Sequence, residues 1–253
     1  MANLPMIFGH RGAMGYCIEN TFHSFQTAVR QGANIETDIK LTKDGILVCF
    51  HDSYFKINSS WYSIKKLKYD ELRGLRFKDN REIPKLSKVF EIFKNKKNLL
   101  YSFDIQNKKV GYELIKLSEE IELLDKIIIT DTRMKVLKHL RSVCKDLKLV
   151  YTLPHKFPKI ENNKVDYNQL RTLNIDSINI KNNKYTPENF IKIIQNGFNC
   201  YIWGVNRKIR MKQVLDLRFN KKIVSAIYTD YPDRVIELKQ KFNSKKHFFH
   251  NED

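Results

Sequence analysis

A closed (β/α)8 barrel of the TIM type is the fold class predicted by this 253-residue sequence. Three observations carry the prediction. Short apolar, β-rich runs alternate with longer stretches of helical periodicity, the pattern of βα units around a parallel sheet. The length suits a single barrel, for which roughly 250 residues is typical. Eight apolar runs remain once one hairpin is set aside, and eight strands close a barrel.

The runs fall at residues 6–8, 34–41, 46–50, 99–105, 126–130, 147–153, 176–180, 200–205 and 223–229. Between the first two, residues 21–31 place Phe22, Phe25, Ala28 and Val29 on one helical face, and Gly32 follows as a stop signal. The runs 34–41 and 46–50 are joined only by Thr42-Lys43-Asp44-Gly45. Asp-Gly between two strand-like runs marks a hairpin, and four residues are too few for a helical crossover. Residues 46–50 are therefore expected to be antiparallel and outside the main sheet, and residues 43–84 to form an insertion after the second strand. Residues 111–124 space Leu114, Ile115, Leu117 and Ile121 at helical intervals, and residues 134–147 do the same with Val136, Leu137, Leu140 and Val143. Pro187 opens another helix that ends near Gly197. Residues 239–253 frame a terminal helix that frays. With no internal repeat and no low-complexity linker, residues 1–253 read as one domain carrying the insertion.

Composition narrows the function. Lys and Arg total 46 against 28 Asp and Glu, a formal net charge of +18. Such a field draws in phosphate-bearing ligands. The lysines run along the whole chain, however, and the clusters at 94–97 and 245–246 are short and lack interleaved aromatics. No nucleic-acid partner is expected from that pattern. A hydrophobic fraction of 42% excludes wholesale disorder. No apolar run approaches the roughly 18 residues of a membrane span, and residues 4–8 are too short for a signal-peptide core. Stable membrane insertion is not expected. Cys17, Cys49, Cys144 and Cys200 form no CxxC or CxxxC pair, which argues against a zinc knuckle and a dense disulfide framework and is compatible with reduced thiols, so a cytoplasmic location is expected.

In a parallel barrel the active site lies at the C-terminal ends of the strands. The first strand ends in Gly9-His10-Arg11-Gly12, the second carries Glu36-Thr37-Asp38, the hairpin delivers His51-Asp52, and the third barrel strand carries Asp104-Ile105-Gln106. Residues two apart on a strand share a side, so Glu36 and Asp38 project together. Three carboxylates at one barrel mouth repel one another unless a cation lies between them, and oxygen-only ligands favour Mg²⁺ or Ca²⁺. His10 and His51 supply a proton-transfer pair near neutral pH. Arg11 supplies a planar fork for phosphate. Together these are the parts of metal-assisted phosphodiester hydrolysis.

The order of these residues resembles the glycerophosphodiester phosphodiesterase family. The resemblance is carried by His10-Arg11-Gly12, Glu19-Asn20-Thr21, Phe25, Ala28, Gly32-Ala33, Glu36-x-Asp38, Thr42-Lys43-Asp44-Gly45, Val48 and His51-Asp52. It continues through Ile83-Pro84-x-Leu86, Trp203-x-Val205-Asn206 and Tyr228-Thr229-Asp230-Tyr231-Pro232-Asp233. It implies a TIM-type barrel with a small insertion after the second strand. It also implies metal-dependent hydrolysis of glycerophosphodiesters to sn-glycerol 3-phosphate and an alcohol, in glycerophospholipid catabolism. By position, His10 and His51 match the acid–base pair, Glu36 and Asp38 two metal ligands, and Arg11 the phosphate contact. Glu19 either orients the His10 loop, meets substrate hydroxyls or favours a helix N-terminus by its charge. Trp203 either packs on the glycerol backbone or belongs to the core.

The chain departs from the family pattern at several points. Asp104 and Gln106 replace a Glu-x-Lys. Asp104 keeps a carboxylate for a metal with shorter reach, while Gln106 keeps a polar substrate contact without a charge. Asp131-Thr132 replaces Ser-Phe, Ile18 replaces a Pro, and no acidic residue lies near Leu153-Pro154-His155. Two rival readings stay open: a phospholipase-D-like enzyme acting on lysophospholipids, and a catalytically weakened barrel that binds phosphorylated ligands.

Overall fold

The structure is a computed structural model that describes residues 4–161 and 164–248. Its strands in chain order are β1 (Met6–Gly9), β2 (Asn34–Leu41), β3 (Leu47–Cys49), β4 (Phe55–Ile57), β5 (Ser60–Tyr62), β6 (Tyr101–Ile105), β7 (Ile127–Asp131), β8 (Lys148–Thr152), β9 (Ser177–Lys181), β10 (Asn199–Trp203), β11 (Arg218–Phe219), β12 (Lys222–Ile223) and β13 (Ala226–Thr229). The helices are α1 (Phe22–Arg30), α2 (Tyr69–Gly74), α3 (Leu86–Phe93), α4 (Lys108–Glu120), α5 (Met134–Val143), α6 (Tyr167–Thr172), α7 (Thr186–Gln195), α8 (Lys208–Asp216) and α9 (Pro232–Phe248).

Eight parallel strands close on themselves in the order β1-β13-β10-β9-β8-β7-β6-β2, with β2 pairing back to β1. The fold is a TIM-type (β/α)8 barrel. Alternation along each strand builds it. Ile35 and Ile39 of β2, and Ile127 and Ile129 of β7, face the helices and join the large outer core, while Ile128 faces inward. Inside, Phe8, Ile128, Val150, Tyr201, Ala226 and Tyr228 fill the barrel, and the Phe8 and Tyr228 rings stack 4.9 Å apart. This plug closes the barrel below its mouth.

Local chemistry sets the helix ends. The Thr21 side chain accepts from Ser24 N and starts α1. The Asn107 side chain accepts from the amides of Lys109 and Val110, so α4 begins at Lys108, ahead of the Gly111 start expected from periodicity. The helix opened near Pro187 runs Thr186–Gln195. Residues 249–253 of the expected terminal segment lie outside the described residues.

The run 46–50 is antiparallel, but it is not outside the main sheet. β3 hydrogen-bonds to β2 over Ile39–Cys49, Lys40–Val48 and Leu41–Leu47. β2, at eight residues, is long enough to pair with β6 and still project a C-terminal end for β3 to take. Beneath this hairpin, Val48, Phe50, Phe55, Ile64, Leu72 and Ile83 form a separate small core.

Candidate active site

Strand register assembles the acid cluster. Glu36 and Asp38 share the inner side of β2, and Asp38 stands directly beside Asp104 of β6. One ligand atom from each of Glu36, Asp38 and Asp104 lies within 4.8 Å of the others. Glu36 is buried, while Asp104 opens on the cavity. The next register position, Thr130 of β7, donates its hydroxyl to Asp104 Oδ1.

The His10-Arg11-Gly12 loop wraps over Glu36. Arg11 N donates to Glu36 Oε2 at 2.7 Å, and Ser24 Oγ donates to Arg11 O at 2.6 Å. Arg11 takes a positive φ of 49° and Gly12 one of 81°. A Cβ on Gly12 would sit 2.1 Å from Ser24 Oγ, so glycine is required there both sterically and conformationally. Arg11 NH1 donates to Glu19 Oε2 at 2.6 Å, and Arg11 Nε lies 3.1 Å from Asp38 Oδ2 without hydrogen-bond alignment. Asn20 completes the loop's support: its Nδ2 donates to Asp38 Oδ2 at 3.2 Å, and its Oδ1 accepts from Thr37 Oγ1 at 2.6 Å.

Both imidazoles are tied by one nitrogen. His10 Nδ1 pairs with Asp230 Oδ1 at 2.8 Å, and His51 Nδ1 pairs with Asp52 Oδ1 at 2.7 Å. A carboxylate partner selects the tautomer protonated on Nδ1 and leaves Nε2 for proton transfer. Asp230 is itself held, by Asn206 Nδ2 on its Oδ2 at 2.5 Å and by Asn206 Oδ1, which accepts from the Asp230 amide.

A cavity of about 230 Å³ gathers these groups. His10, Arg11, Glu36, Asp38, His51 and Asp104 line it together with Thr130, Thr152, His155, Asn179, Trp203 and Tyr228. The Trp203 ring lies 4.8 Å from His155 and 5.1 Å from the Lys181 ammonium. Of the residues expected at the site, two stand apart. Glu19 reaches the cavity only through Arg11. Gln106 lies just beyond β6, turns to donate its Nε2 to Ser53 Oγ at 3.3 Å, and lines a neighbouring cavity instead. The residues to which the sequence reading gave no role are Asp230, Asn206, Thr130 and Asn20. Asp230, Asn206 and Asn20 stand within motif blocks but carry no spacing signal of their own.

Electrostatics test whether the cluster suits a metal. Burial first, then Asp38 and Asp104, push the Glu36 carboxyl up to about 8, against the lowering effects of His10 and the Arg11 amide. Desolvation in the cavity and the charge of Asp38 push Asp104 up to about 6. Burial works against the charged form of His10, yet the Asp230 hydrogen bond and the Glu36 charge outweigh it and raise its value. Three oxygen donors that cannot all ionise comfortably are a fitting donor set for a hard divalent cation, whose charge would offset the repulsion.

Residues 10–234 match the glycerophosphoryl diester phosphodiesterase family. A glycerophosphodiester phosphodiesterase of Caldanaerobacter subterraneus subsp. tengcongensis is 28% identical over 93% of this chain and 98% of its own. Human lysophospholipase D GDPD1 is 26% identical over 93% of this chain and 86% of its own. Among solved structures, an Oleispira antarctica phosphodiesterase in complex with the product sn-glycerol-3-phosphate superposes with a TM-score of 0.76 at 19% identity, covering 92% of this chain and 96% of that one.

Proposed function

The chain belongs to the glycerophosphoryl diester phosphodiesterase family, and from that membership we propose that it is a phosphoric diester hydrolase that converts glycerophosphodiesters to sn-glycerol 3-phosphate and an alcohol. The observation that best supports this reading is the meeting, in one cavity, of three converging carboxylates and two imidazoles each anchored through Nδ1.

Glu36, Asp38 and Asp104 would hold a Mg²⁺ or Ca²⁺ ion, which when bound polarises a phosphate oxygen as a Lewis acid. The rest of the chemistry falls to the chain's own groups. Arg11, fixed by Glu19 and Asp38, offers its positive charge to the phosphate at the cavity wall. One imidazole takes a proton at Nε2 from the nucleophile, which is either water, giving the monoester directly, or the glycerol 2-hydroxyl, giving a cyclic phosphodiester that a water then opens to glycerol 3-phosphate. The other returns a proton to the departing alcohol oxygen. Trp203 offers an aromatic face to the glycerol backbone.

The lysophospholipase D activity named for the human relative gives the second reading its support. The lining of the cavity favours the first. It is dominated by ionisable and hydroxyl side chains, which suit a small polar diester. No helix among the described residues is long and apolar enough to cross a membrane. All four cysteines are free thiols, which supports a cytoplasmic setting; the role proposed for the chain there, from its family membership, is glycerophospholipid catabolism on small diesters.

The test is release of glycerol 3-phosphate from a panel of glycerophosphodiesters and lysophospholipid vesicles, with a chelator and with added Mg²⁺ or Ca²⁺. His10→Ala and His51→Ala are each expected to lower turnover by about 10²- to 10⁴-fold. Near wild-type turnover in either variant would reject the acid–base assignment.

A further inference from the structure

A second cavity, of about 430 Å³, adjoins the first and shares Asp104, Thr130, Thr132 and Thr152 with it. Its own walls are Lys40, Ser53, Gln106 and Arg133, with Ile105 and Asp131. A diester whose phosphorus sits at the acid cluster has two arms, and the shared wall gives one of them a direction out of the first cavity.

Lys40 follows Glu36 and Asp38 at two-residue spacing on β2, so its side chain starts from the same side of the strand. It is only 9% exposed. Neither a hydrogen bond nor an ion pair within 4.0 Å engages its ammonium among the described residues, although Asp38, Asp52 and Asp104 are close enough to act on it by charge. The other cation of this cavity is already committed. Arg133 donates Nε to Asp131 Oδ1 and NH2 to Asp131 Oδ2, and it caps the carbonyls of Gln106 and Ile105 through NH1 and NH2. Arg133 therefore braces the wall, while Lys40 is left to meet a ligand. Hydroxyl and amide groups (Ser53, Thr132, Thr152 and Gln106) line the cavity with it, and no aromatic ring does.

Resting on the phosphodiesterase reading above, we propose that this annex receives the alcohol arm of the diester and that Lys40 selects a hydroxyl-rich or negatively charged alcohol over a quaternary ammonium. The chemistry runs one way. An ammonium headgroup is held by aromatic faces, which the annex lacks, and it would be repelled by Lys40. A polyol or an anionic headgroup finds donors, acceptors and a positive charge.

The experiment compares kcat/KM for glycerophosphoinositol and glycerophosphoglycerol with that for glycerophosphocholine, in the wild type and in Lys40→Met, Lys40→Glu and Lys40→Arg. The wild type is expected to favour the polyol diesters by about tenfold or more, the worth of one charge-assisted hydrogen bond. Lys40→Arg should keep that preference, Lys40→Met should erase most of it, and Lys40→Glu should move it toward choline. A wild-type preference for glycerophosphocholine, or an equal fall on every substrate in Lys40→Met, would overturn the proposal while leaving the phosphodiesterase reading intact. Absence of turnover on every diester, with divalent cation present, would overturn both.

Discussion

His10, just past the first barrel strand, and Asp230, just past the last, meet across the barrel's closing seam, with His10 Nδ1 donating to Asp230 Oδ1 at 2.8 Å. The contact joins residues 220 positions apart and fixes the ring so that Nε2 is the nitrogen left for catalysis. It also raises the His10 value against the opposing effect of burial. Asp230→Asn keeps the shape and removes the charge. The limb of the kcat/KM pH profile that reports His10 should therefore move to lower pH, with turnover down by at least about tenfold. A pH profile superimposable on the wild type would show that Asp230 only packs.

Glu36 should cost the metal-free fold stability. Its folded value, about 8, lies above the ordinary 4.5 that it has when unfolded. Between those two values the folded state holds a proton that the unfolded state has lost, so stability falls as pH rises through the window. Glu36→Gln removes this dependence. In chelator the variant should match the wild type near pH 4.5 and exceed it by on the order of 5 kcal/mol above pH 8. Saturating Mg²⁺ or Ca²⁺ should raise the wild-type Tm and leave the variant largely unmoved. Thermal unfolding across pH, with and without cation, checks both statements, and a wild-type Tm indifferent to divalent ions would count against the cluster as a metal site.

Gly12 is the backbone pivot of the loop over Glu36. Its φ of 81° and the 2.1 Å approach of a Cβ to Ser24 Oγ leave no room for alanine. Gly12→Ala should destabilise by about 2–4 kcal/mol, from overpacking and a left-handed conformation together. Urea unfolding measures it. Gly45 offers a control: its φ is also 81°, but a Cβ placed there would meet nothing within 4 Å, so Gly45→Ala should cost only the conformational share.

The barrel is legible in the sequence because its strands are buried on both faces and so read as apolar runs. The acid pair is legible for a related reason: a two-residue spacing is visible in any strand. Helices α2, α3, α6 and α8 escape the periodicity reading. α2 and α6 are six residues each with a single buried side chain, Leu72 and Leu170, too little for a face to repeat. Ile223 reads as part of the last barrel strand but belongs to the small β11–β12 hairpin, since apolar content alone does not tell which partner a strand finds. Asp230 stands in a motif visible in the sequence, but its pairing with His10 does not show there, because the two meet only once β1 and β13 pair and close the barrel. Gln106 shows the converse limit. Its spacing from Asp104 promises a shared direction, but the chain leaves β6 at Ile105, so the strand rule no longer applies to it.

The pairing of Arg11 with Glu19 supports one of the roles open to Glu19, that of orienting the loop over Glu36. Arg11 NH1 donates to Glu19 Oε2 at 2.6 Å while Nε stays beside Asp38, a two-sided grip that only a planar fork can satisfy. If Glu19 acts by aiming that fork, its effect must pass through Arg11. Arg11→Lys is expected to lower kcat/KM by about 10- to 100-fold, because a lysine cannot hold both directions at once. Glu19→Gln should cost less, because an amide oxygen can still accept from NH1. In the Arg11→Lys background, Glu19→Gln should then add almost nothing, giving a coupling energy near the whole of its single effect. Steady-state kinetics on the four proteins read this directly. Additive losses would instead assign Glu19 its own contact with substrate or a purely helix-terminal role.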